Sequence, residues 1–99
     1  MTTPLKTARE AIHDKIESQI KTAQAKLEAL KARAEATKAI TELRLIGELV
    51  TERHAIDRKL KELKSSTEST YQRAKTDVES RVADLEKSVQ AIEAKFKTA

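Results

Sequence analysis

The chain has 99 residues and a formal net charge of +4, from 20 Lys and Arg against 16 Asp and Glu, with one Gly, one Pro, no Cys and only two aromatics, Tyr71 and Phe96. So few turn-forming residues exclude an all-β or α/β fold, and the lack of Cys excludes disulfides, zinc–thiolate sites and thiol catalysis. The length allows one domain, residues 1–99, and a composition rich in Ala, Glu, Lys, Leu and Arg points to long helices.

Thr3-Pro4 reads as a helix start, because Thr offers an N-cap acceptor and Pro suits the first helical position. No Pro, Asn or Gly follows until Gly47, which sits inside the apolar run Leu43 to Val50. The first helix is therefore expected to run from about 4 to 64. Five hydroxylated residues within 65–70, with Ser65 and Glu68 spaced as a capping box, predict a turn at 65–67. A second helix is expected over about 67–97.

In the second helix Val78, Val82, Leu85, Val89, Ile92 and Phe96 alternate four and three apart, a heptad seam. Tyr71 and Ala74 extend it with a stutter. Ile56, Leu60 and Leu63 form a narrow stripe on the first helix that this seam can cover. Earlier in that helix Ile12, Ile16, Ile20, Ala23, Leu27, Leu30 and Ala34 make another seam. Between them Ala39, Ile40, Leu43, Leu45, Ile46, Leu49 and Val50 span an arc too wide for one neighbour. The stretch Ile16 to Ile20 resembles Val78 to Val82, and the apolar positions stay aligned as far as Ala34 and Phe96. We read this as two stripes of equal period rather than a duplication.

A helix folding back at 65–67 covers only half of a 60-residue partner, which leaves the seam from Ile12 to Ala34 bare. A bare aliphatic stripe needs a cover, and a second copy is the simplest one. The expected architecture is thus an all-α, coiled-coil homodimer of long helical hairpins. The long helices cross antiparallel near Ala36, with a three-helix bundle at each end. The expected oligomer interface is Ile12, Ile16, Ile20, Leu27, Leu30, Ile40, Leu43, Ile46, Leu49 and Val50. The expected intrachain seam is Ile56, Leu60, Leu63, Val78, Val82, Leu85, Val89, Ile92 and Phe96.

Few residues carry chemistry. Glu10 and His13 have the Glu-x-x-His spacing of di-iron bundles, but no second such pair exists, so both are expected on the polar face. His54 and Asp57 read as a surface hydrogen bond. We expect no catalytic residues, no cofactor and no metal site. Arg53, Arg58, Lys59, Lys61 and Lys64 outweigh Asp57 and Glu62 in the segment 53–64, but no aromatic stands among them to stack on bases. The apolar stripes are also narrower than those of interfacial helices. Neither nucleic acid nor membrane is therefore the expected partner. With no apolar leader and no spanning run, the expected location is cytoplasmic.

The blocks Lys26-Leu27-Glu28-Ala29-Leu30-Lys31-Ala32, Ala55-Ile56-Asp57-Arg58-Lys59-Leu60 and Val78 to Lys87 resemble short Ala/Glu/Lys-rich bacterial coiled-coil proteins. Most of these are uncharacterised and some are described as stress-response proteins. The resemblance implies a non-enzymatic, self-associating scaffold or stress-associated interaction module and brings no site residues with it. The length is also similar to that of secreted helical hairpins with a Trp-x-Gly turn, but Leu45-Ile46-Gly47 lacks the Trp. The alternative function is weak binding of nucleic acid or an anionic membrane surface through Arg53 to Lys64, and a further, unknown protein partner is compatible with either.

Overall fold

A computed structural model of the chain describes residues 8–97, which form three helices and, among the described residues, no strand. They are α1 (Ala8–Thr37), α2 (Ile40–Lys64) and α3 (Glu68–Lys97). The helix start expected at Thr3-Pro4 lies outside the described residues.

The expected single helix over 4–64 is corrected: the chain turns at Lys38-Ala39. The Lys38 amide donates to the Glu35 carbonyl (3.3 Å) and the Ala39 amide to the Ala34 carbonyl (2.9 Å). That is a Schellman ending, whose left-handed residue is usually Gly. Here it is Lys38, with φ of 56°. Ala39 then serves as N-cap of α2 with no side-chain hydrogen bond to offer.

The turn forms despite this chemistry because the apolar stripe changes phase. The buried positions of α1 are His13, Ile16, Ile20, Ala23, Leu27, Leu30 and Ala34, spaced three and four apart. Continued at the same spacing, they land on Thr37, Thr41, Arg44, Glu48 and Thr51, all polar. The next buried residue is instead Ile46, two positions from both Arg44 and Glu48. At about 100° per residue, that displacement carries the stripe to nearly the opposite side of a continuous helix. A straight helix could not bury both stripes against one neighbour, whereas a chain that turns can.

The expected turn at 65–67 is where α2 and α3 meet, but its caps differ from the expected box. Ser65 closes α2: its amide and its hydroxyl both donate to the Glu62 carbonyl (3.1 Å each). Thr67 leads α3, with its hydroxyl 3.0 Å from that of Thr70 and its carbonyl accepting from the Tyr71 amide at 2.9 Å.

The three helices make an up-down-up bundle of 53 × 32 × 18 Å around one core. The parallel pair α1 and α3 is level-matched. Arg9 lies 3.9 Å from the Tyr71 ring centroid and Arg33 lies 5.1 Å from that of Phe96, at opposite ends of the bundle. The similar stretches at Ile16 and Val78 share this offset along the chain, so residues alike in sequence sit at the same height. Both arginines also clamp backbone: Arg9 donates to the Ser66 carbonyl (3.1 Å) and Arg33 to the Phe96 carbonyl (2.8 Å). Gly47 does not interrupt α2, and a Cβ there would meet nothing within 4 Å.

Candidate interaction surface

The bare seam that called for a second copy is covered within the chain. Ile16, Ile20, Leu27, Leu30 and Ile46, all expected at an oligomer interface, are 1–7% exposed in the core. Ile56, Leu60, Leu63, Val78, Val82, Leu85, Val89, Ile92 and Phe96, the expected intrachain seam, lie in the same core. Turning at Lys38 brings α1 back onto α2 and α3, and this takes away the reason for an obligate partner along α1.

What remains uncovered is the start of α2. Ile40 is 78% exposed. Leu43, Leu45, Leu49 and Val50 pack on the core but are only half-buried, as is Ile12 on α1. The apolar arc of α2 is broader than two neighbouring helices can close over. Leu45 and Leu49 on one flank meet Ser88, Ala91 and Ile92 of α3 along an open groove of about 280 Å³. Ile40, Leu43 and Val50 continue at three- and four-residue spacing with Gly47, whose missing side chain leaves the backbone approachable there.

The basic residues of 53–64 do not form one patch. Lys59 faces α3, 3.7 Å from Asp77, which also holds Arg81 at 3.2 Å; Arg81 in turn reaches Glu52 at 3.4 Å. Arg53, Lys61 and Lys64 face α1 and, with Lys21, line a groove of about 340 Å³ that also contains Glu17 and Asp57. Arg58 is exposed and does not line that groove. The Arg53 guanidinium lies 3.2 Å from Nδ1 of His54. His54 thus contacts the guanidinium of its neighbour, and the hydrogen bond expected with Asp57 does not form.

His13 is the main departure among the polar residues. It was expected on the solvated face beside Glu10, but it takes a core position in the α1 seam and is 9% exposed, whereas Glu10 is exposed. Extending the three-and-four spacing back from Ile16 reaches residue 13 rather than Ile12, and this signal was available in the sequence. Asp14 and Glu17 bring carboxylate oxygens to the same imidazole, and one donor atom from each of the three residues lies within 4.8 Å of the others. No described helix is long and apolar enough to cross a membrane. Comparison with known proteins finds no matching family model, no matching curated protein and no matching solved structure.

Proposed function

We propose that the protein is a non-enzymatic interaction module that self-associates, as a homodimer, through the first three turns of α2, and so acts as a scaffold. The observation that carries this reading is the exposed and half-buried aliphatic row Ile40, Leu43 and Val50, which runs past Gly47 on an otherwise polar face of the bundle. Monomer surfaces scatter single apolar residues but seldom align them along one helix. A two-fold contact uses the same row on both copies, so one patch supplies both halves of the interface. Each copy contributes a small area, and the association is accordingly weak and concentration-dependent.

Light scattering over a concentration series tests this. The mass is expected to rise from that of one chain to that of two as concentration increases. Ile40→Glu is expected to raise the dissociation constant by about tenfold or more, because it places a charge in the apolar contact. The side chain is exposed in the monomer, so the helical signal and the melting temperature should be unchanged. A single-chain mass at every concentration would overturn the reading.

The second reading, binding of a polyanion, is favoured by Lys21, Arg53, Lys61 and Lys64 lining one groove against two carboxylates. It requires an affinity that falls steeply with salt and with charge reversal at Lys61 and Lys64.

A further inference from the structure

We propose that His13, Asp14 and Glu17 form a binding site for one divalent transition-metal ion, zinc in the first instance. This goes beyond self-association and does not depend on it. The three residues lie on one turn of α1, with a donor atom from each within 4.8 Å of the others. Nδ1 of His13 is 3.6 Å from Glu17 Oε2 and 3.9 Å from Asp14 Oδ1, just beyond hydrogen-bond reach of both. Zinc binds imidazole nitrogen and carboxylate oxygen at about 2.0–2.2 Å, which spaces neighbouring tetrahedral ligand atoms about 3.3 Å apart. Small side-chain rotations therefore bring this donor set to bonding geometry, with water in the remaining position.

The second observation is the placement of the imidazole itself. His13 occupies a seam position where aliphatic residues stand at Ile16 and Ile20, and it is about nine-tenths buried. A buried imidazole needs a partner for its polar edge. Core packing holds the ring, so the ion would meet one ligand already oriented and two half-exposed carboxylates beside it. One nitrogen and two carboxylate oxygens suit zinc and its first-row neighbours better than magnesium, which prefers an all-oxygen octahedron. The ion competes with the Lys21 ammonium, 3.3 Å from Glu17, but that side chain is largely exposed and free to swing away. Arg53, Lys61 and Lys64 of α2 line the same groove and lower the affinity, while Asp57 there offsets part of their charge.

The test is zinc chloride titrated into the full chain, followed by imidazole nitrogen NMR and by thermal unfolding. One ion per chain is expected, with a large shift confined to His13 Nδ1, no change at His54, and a melting temperature that rises with zinc concentration. Magnesium should produce neither effect. Glu17→Gln is expected to weaken zinc binding by about tenfold or more. His13→Leu completes the aliphatic seam, so it should fold, melt higher than the parent without metal, and lose the response to zinc. Zinc binding that survives His13→Leu, or an unshifted His13 resonance at millimolar zinc, would overturn the site.

Discussion

Truncating Ile56 to Ala is expected to lower the stability of the bundle by about 3 kcal/mol and its melting temperature by roughly 15 °C. Ile56 is fully buried on α2, the helix that packs against both α1 and α3. The two aromatics of the core, Tyr71 and Phe96, stand at opposite ends of the bundle, so neither can slump into the space left behind. Ile40→Ala removes the same atoms from a side chain that is 78% exposed, and should change the melting temperature little. Circular dichroism melts of the two variants, run side by side at low concentration, check the contrast. Equal losses would mean that α2 is not buried as described.

The pair Lys38→Gly and Ala39→Ser is expected to stabilise the protein by about 2 kcal/mol. Each substitution contributes about half. Gly occupies the left-handed position of a Schellman ending without the Cβ clash that Lys suffers there. Ser supplies the N-cap oxygen that Ala39 lacks. The sign of the effect is diagnostic, because Gly within an uninterrupted helix would instead cost about 1 kcal/mol. Denaturant melts of the single and double variants give both the sign and the additivity.

The same two residues show what could be read from the sequence. Helical class, the turn at 65–67 and the seam from Val78 to Phe96 are legible, because hydroxyl-rich caps and heptad spacing announce them in local chemistry. The turn at Lys38 is not announced that way: Thr37-Lys38-Ala39 contains no Gly, Pro or Asn. Its signal is non-local, in the slip of two residues between the stripe ending at Ala34 and the one beginning at Ile46. Either stripe alone looks like a good coiled coil, and only their relative phase shows that one straight helix cannot carry both. Reading through the turn then turned intrachain core residues such as Ile16 and Leu27 into an expected dimer interface. The excess width of the apolar arc over Ala39 to Val50 was legible, and part of it remains open at Ile40 and Leu43. The burial of His13 beside Asp14 and Glu17 was obscured because Ile12 is a more obvious seam residue than its polar neighbour.

The central claim is that α1 folds back on α2 of its own chain. The most direct measurement is the distance between spin labels on cysteines placed at Ser18 and Arg58, both exposed, in a chain with no native cysteine. Doubly labelled protein should be diluted into an excess of unlabelled protein, so that pulsed dipolar spectroscopy reads distances within one chain. The hairpin predicts a single narrow distribution near 20 Å, the spacing of two adjacent helices plus the label arms. An unbroken helix separates the same positions by about 60 Å, whether or not it dimerises, and a distribution centred there would contradict the fold.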